Sequence, residues 1–460
     1  MGSMLTAFRS LFRNRVTIAG AILTSMAAVL FVTVFLLDLF GLHTNPYIGI
    51  VFFLIVPGIF LFGLLLIPVG LWLERRRRAA GHAPSTLQWP RIDLNDARQR
   101  AIVAAIAILT ITNVVIVSLA GYRGVEFMDS VSFCGQACHE VMQPEFVAYQ
   151  DGPHSRVTCV QCHIGPGAPW FVRSKIDGVR QVFAVLFNSH GRPIPSPVHN
   201  LRPAREVCEQ CHWPEKFHGD KVNVIREYGS DEKNTESVTT LQVHVGGGSE
   251  RLGIATGIHW HMNVANEIEY IATDDKRQEI GYVRLKDRFG KVKEFYAEGV
   301  TQDKLDAGER RRMDCMDCHN RPSHRFAPSA ERAVDEAMAI GEISPKLPFA
   351  KREAVAVLKE SYADQQAAAD AIASRLRAFY RDQYREVYNE RRPEVERAVN
   401  ATQRLFRRNV FPSMRVGWGT YPNNIGHMAF PGCFRCHDDN HKAKDGTVIR
   451  QECDMCHEMQ

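Results

Sequence analysis

The chain has 460 residues, enough for two or three domains, and a formal net charge of +5 with 23% of its residues charged. That balance is too mild to argue for nucleic-acid binding, and no nucleic-acid partner is expected. The 12 cysteines all lie beyond the first quarter of the chain and fall into six close pairs with none left over.

Three apolar runs come first. Val16 to Leu37 is uncharged, Tyr47 to Leu73 is interrupted only by Pro57 and Pro68, and Ala101 to Ala120 is more polar, with Thr110, Thr112 and Asn113. Each is near the ~20 residues that cross a hydrocarbon core as a helix. A cleaved signal peptide is the competing reading of the first run; its length and the two runs that follow weigh against it. Arg9, Arg13 and Arg15 precede the first run, Arg75 to Arg78 follow the second, and Arg91, Arg98 and Arg100 precede the third. The loop from Asp38 to Pro46 holds no Lys or Arg. Basic flanks stay in the cytoplasm. The expected topology is therefore a multi-pass protein of a bacterial inner membrane, N-terminus inside, with everything beyond the third span in the periplasm.

Beyond the anchor, residues 1–121, motif density divides the chain. Residues 122–221 hold three cysteine pairs. Residues 222–310 hold none and read as strands: LQVHV, EIEYIA, GYVRL and VKEFYAE are β-rich and split by turn signals. A fourth pair falls in 311–328. Residues 329–412 read as helix, with Ile372, Leu376, Phe379, Val387 and the tyrosines 380, 384 and 388 at helical spacing, and with Pro393 expected to end or kink it. The last two pairs fall in 413–460. The expected fold is a mostly α membrane anchor of three helices, then a region of little regular structure that carries the cysteine pairs, a small strand-rich insert and a helical segment.

Each cysteine pair is followed at once by histidine. The pairs are Cys134/Cys138, Cys159/Cys162, Cys208/Cys211, Cys315/Cys318, Cys433/Cys436 and Cys453/Cys456; the histidines are His139, His163, His212, His319, His437 and His457. Two thiols add to the two vinyl groups of a porphyrin, and the adjacent histidine binds the iron; Cys-x-x-Cys-His is the attachment signature of c-type haem. Zinc ribbons, disulfides and iron–sulfur ligation explain the cysteines but not six histidines in six places. Six c-type haems are expected. The first motif, CGQACH, has one residue too many, which a bulged turn would absorb.

Twelve further histidines lie outside the motifs, ten of them beyond the anchor. One alone reads as a surface residue. Together they read as distal ligands, which make haem a low-spin electron carrier rather than a catalyst. His154, His324, His427 and His441 are favoured, then His261 and His259 in IHWHM, then His218. Met142 is either a ligand of the first haem or an apolar contact.

FCGQACHEVMQPEF, PHSRVTCVQCHIGPGAPWFVRSKIDGVRQVF, CEQCHWPEKF and CMDCHNRPSH resemble the four-haem core of the NapC/NirT family of membrane cytochromes c, and the chain is similar to a larger multihaem branch of it. The resemblance implies oxidation of membrane quinol, menaquinol being the expected one, and delivery of electrons to a periplasmic cytochrome or reductase. It also implies His154 and His324 as shared ligand positions and Met142 beside the first haem. Lys175 and Asp177 lie in the segment resembling the quinol-side region and are candidates to shape that pocket; a solvated amphipathic stretch is the alternative. A terminal reductase of a small oxyanion, or an anchoring relay subunit of a larger respiratory complex, are the rival functions. Intact-mass spectrometry should show six haem additions and no alkylatable thiol; five additions with Cys134 and Cys138 free would remove the first haem.

Overall fold

The computed structural model of the chain describes residues 14–39, 56–81, 93–137, 139–165, 167–198, 201–213, 217, 219–247, 257–262 and 266–459. Expectations resting on Arg9, Arg13, Arg91, Cys138, His218 and the side chain of His139 lie outside what is described, as do residues 40–55, with the start of the second apolar run. The chain forms two compact units, Met1–Met128 and Asp129–Gln460.

The first unit holds three long helices: α1 (Arg15–Leu39), α2 (Val56–Ala79) and α3 (Ala97–Met128). All three are long and apolar enough to cross a membrane. Small residues let α1 and α2 approach closely. A side chain at Gly20 would meet the Gly63 carbonyl at 2.7 Å, and one at Gly63 would meet the Thr24 backbone nitrogen at 2.8 Å. Such contacts suit helices in lipid, where dispersion and buried hydrogen bonds replace the hydrophobic drive. Asn14 adds one, donating to the Gly70 carbonyl at 2.7 Å. Helix α3 continues past Ala120 to Met128; an Arg123–Glu126 ion pair at 2.6 Å, one turn apart, supports the extension.

The second unit begins with α4 (His139–Gln150) and α5 (Ala168–Leu186). Two antiparallel sheets follow. Strands β1 (Lys221–Tyr228) and β2 (Glu236–Val243) form a hairpin. Strands β3 (Glu267–Ala272), β4 (Ile280–Lys286), β5 (Val292–Ala297) and β6 (Glu309–Arg312) form a second sheet. The C-terminal tail supplies an edge to each. Strand β7 (His441–Ala443) pairs with β5, and β8 (His457–Met459) pairs with β2.

The helical segment is α6 (Ala330–Ala339), α7 (Ala350–Leu358), α8 (Gln365–Gln383) and α9 (Arg392–Asn409). Val334, Leu347, Ile372, Leu376, Val399 and Phe406 are buried together there. The helical segment is interrupted at Pro393, as expected: a short helix, Arg385–Glu390, ends just before it, and Pro393 sits in the first turn of α9, where its missing N–H costs no bond. Asn234, in the β1–β2 turn, docks this bundle by donating to the Pro345 and Leu347 carbonyls at 2.9 and 2.8 Å. A buried Lys351–Asp335 ion pair, with Asp335 also accepting from the Tyr228 backbone, completes the joint. By contrast, few residues of 131–213 are buried.

Candidate haem-binding centre

The Cys-x-x-Cys-His spacing places the first cysteine and the histidine four residues apart, one helical turn. The histidine N–H accordingly donates to the first cysteine's carbonyl in three motifs: His212 to Cys208 at 2.8 Å, His319 to Cys315 at 2.8 Å and His437 to Cys433 at 3.0 Å. The residues between the cysteines shape the turn. In the second motif Gln161 reaches back to the Thr158 backbone at 2.8 Å, and in the fourth Asp317 reaches back to Asp314 at 2.6 Å. Both are capping boxes closing a short helix. Asp317 is itself buried, accepting from Tyr270 at 2.5 Å, which pins the fourth motif to β3.

Five motif histidines each face one histidine from elsewhere in the chain. Ring centres are 6.1 Å apart for His212 and His154, 6.2 Å for His163 and His324, 6.2 Å for His319 and His259, 5.9 Å for His437 and His261, and 6.1 Å for His457 and His427. Two metal–nitrogen bonds of about 2 Å, plus roughly 1 Å from each ring centre to its nitrogen, span about 6 Å. The gap is the width of one imidazole-ligated iron. The partners are distant in sequence. His154 precedes the second motif yet faces the third, and His324 follows the fourth yet faces the second.

Backbone carbonyls orient these rings. The Nδ1 of His154 lies 3.2 Å from Pro322 O, that of His259 2.9 Å from Val245 O, and that of His261 2.8 Å from Ile258 O. His324 uses Glu145 O at 2.9 Å, and His437 uses Arg450 O at 2.9 Å. An Nδ1–H donated to a carbonyl leaves Nε2 with its lone pair, the form that binds metal. Burial pushes His163, His261 and His319 below the ordinary imidazole range, favouring the same neutral form. His259 and His261 project from a single turn, Ile258–Met262, toward the fourth and fifth motifs. Glu145, which sequence reasoning missed, holds Arg321 through both oxygens at 2.9 and 2.7 Å, and so fixes the loop carrying His324.

His441 is otherwise engaged. It is fully buried, its Nδ1 lies 2.9 Å from Asp438 and its Nε2 2.8 Å from the Ile280 carbonyl. With both ring nitrogens bonded, it offers no lone pair to an iron and instead fastens β7 to β4. His190 is half-buried, with no hydrogen-bond partner at either ring nitrogen.

The first motif's additional residue is absorbed by a π-helical turn, Phe133–Ala137. Met142 is half-buried on α4. Lys175 forms an ion pair with Asp129 at 3.2 Å and lies 4.7 Å over the Phe171 ring. The Cys134 thiol is pushed up chiefly by its hydrogen bond with Cys159 and then by burial, while Asp129 adds to the rise and Lys175 opposes it. Lys175 and Asp129 therefore lie beside the first motif. Asp177 does not join them, because residues two apart on α5 project from opposite sides of the helix.

The motif thiols approach one another in chain order. Cys134 hydrogen-bonds Cys159, and Cys208 hydrogen-bonds Cys315. Cys162 lies within electrostatic reach of Cys211, Cys318 of Cys433, and Cys456 of Cys433. Arg435, inside the fifth motif, donates to the Asp317 carbonyl inside the fourth at 2.6 Å. The donor set fits c-type haem: thiols for the vinyl groups, paired imidazoles for the iron. A bound haem supplies one-electron redox chemistry.

Residues 96–193 match the N-terminal region of the NapC/NirT cytochrome c family. The chain belongs to that family, and is a membrane-anchored c-type cytochrome of electron transport. It is similar to the cytochrome c-type protein ImcH of Geobacter sulfurreducens, at 40% identity over 448 residues, covering 97% of this chain and 88% of that one. No solved structure matches the chain.

Gly135 sits where a side chain would meet the Phe146 ring at 2.1 Å. Gly135→Ala should therefore distort the π turn and remove one haem's mass from the intact chain while leaving five; full loading would show that the turn tolerates the change.

Proposed function

We propose that the chain is a quinol dehydrogenase of electron-transfer type, in which membrane quinol, menaquinol by expectation, reduces a relay of six c-type haems that in turn reduces a periplasmic cytochrome or reductase. The N-terminus is cytoplasmic, the chain crosses the membrane three times, and the haem region is periplasmic. The observation that carries this reading is the five imidazole pairs. Iron held between two imidazoles has no open position, which suits electron transfer and not substrate reduction. A terminal reductase needs such an opening, and these pairs leave it to the first motif alone. His154, His324, His259, His261 and His427 are thus the distal ligands of the third, second, fourth, fifth and sixth haems. Thiol contacts between successive motifs support an order of haems in space that follows the chain.

Quinol oxidation releases two protons as well as two electrons, so a group that accepts protons belongs beside the first haem. The Lys175–Asp129 pair is the candidate, with Asp129 taking the role that sequence reasoning gave to Asp177. Asp129 directly follows Met128, the last residue of α3, so the pair is tied to the point where the chain leaves its third span. In liposomes, Lys175→Met and Asp129→Asn should each slow stopped-flow reduction by a menaquinol analogue by at least about tenfold. Reduction by dithionite should stay unchanged. Wild-type rates with the analogue in both variants would rule out this pocket.

A further inference from the structure

We infer that α5 lies in the plane of the membrane surface, with one apolar stripe seated among the lipids of the outer leaflet. Val172, Ile176, Val179, Phe183 and Leu186 recur at four- and three-residue spacing and so line one face. Each is more than half exposed, from 54% at Phe183 to 69% at Leu186, and Phe187 beyond the helix end reaches 76%. Phe183 and Phe187 stack with ring centres 6.2 Å apart and extend the stripe. No comparable stripe of exposed apolar residues occurs on the described helices α6 to α9, whose apolar faces form a buried core. A patch of this size on water-exposed protein marks an interaction surface.

The occupant follows from what borders the stripe. Arg173 and Arg180 flank it on the side of increasing polarity, and Lys175 lies on the other flank, so the rim is basic while the centre is apolar. Trp170, in the first turn, is covered by the guanidinium groups of Arg173 and Arg202 at 5.2 and 5.8 Å. An apolar face rimmed by Lys and Arg is the chemistry of a helix resting at the headgroup boundary of anionic lipid. A second copy of the chain would set this basic rim against itself. Location agrees, because Lys175 on α5 is ion-paired to Asp129, the residue that follows the third apolar helix. This placement of α5 rests on the proposed topology and not on the haem or quinol assignments.

The test uses the full chain in vesicles of phosphatidylethanolamine and phosphatidylglycerol. Phe183→Cys on the stripe, Val179→Cys as an independent stripe position, and Gln181→Cys on the opposite face are each spin-labelled, with the parent chain treated identically to set the background. Haem content equal to the parent's confirms folding. Relaxation of the label by oxygen, which partitions into lipid, is compared with relaxation by a water-soluble nickel complex. The labels at 183 and 179 should be several-fold more accessible to oxygen than to nickel, and the label at 181 the reverse. Nickel access at 183 and 179 equal to that at 181 would place the stripe in water. Shielding from both reagents would mean that protein covers it. Either result overturns the inference.

Discussion

The arrangement of the second unit depends on pairs of imidazoles held 5.9 to 6.2 Å apart, centre to centre. Neither ring of a pair can supply this spacing alone. One rides on a Cys-x-x-Cys-His turn, and its partner arrives from another segment of the chain; His154, His259, His261 and His324 are each oriented by an Nδ1 contact with a backbone carbonyl. A carbonyl is a dependable anchor, since it keeps the same hydrogen-bonding character at every pH and fixes the tautomer as well as the ring plane. Under the proposed function, iron closes each gap, so each haem is also a crosslink joining distant segments. This explains why residues 131–213 bury so few of their own side chains.

The conventional core lies elsewhere and serves as a frame. The helices α6 to α9 pack on the β1–β2 hairpin, and the second sheet anchors the fourth motif through the Tyr270–Asp317 hydrogen bond. The tail is then stitched back by β7 and β8, one to each sheet. That stitching brings the fifth motif beside the fourth, where Arg435 reaches the Asp317 carbonyl. A single turn carrying His259 and His261 faces two motifs at once, so under the proposed function a small shift in it would alter two ligand sets together.

Local chemistry was readable in advance. The three apolar runs, the six motifs and the strand-rich insert follow from composition, spacing and periodicity, which are properties of short segments. Partnerships were not readable. His441 stands near the fifth motif in sequence, but β7 carries its ring to the Ile280 carbonyl. His261, 176 residues before His437, is the ring that faces that motif. Strands β7 and β8 are three residues each, too short to leave a period, and exist because neighbouring strands offer an edge. Pro393 was readable, because a proline that marks the end of one helix also starts the next. Asp129 carried no motif; only its ion pair with Lys175 marks it.

The central claim is that five of the haems are held between two imidazoles. Near-infrared magnetic circular dichroism of the oxidised protein, quantified against total haem, separates imidazole pairs from imidazole–thioether and from high-spin ligation. The account predicts five haems per chain with paired imidazoles and none of these high-spin. The nearly parallel His259–His319 rings at 6° and the nearly perpendicular His261–His437 rings at 87° should further give distinct electron paramagnetic resonance signals. Fewer than five haems with paired imidazoles in a fully loaded chain would contradict it.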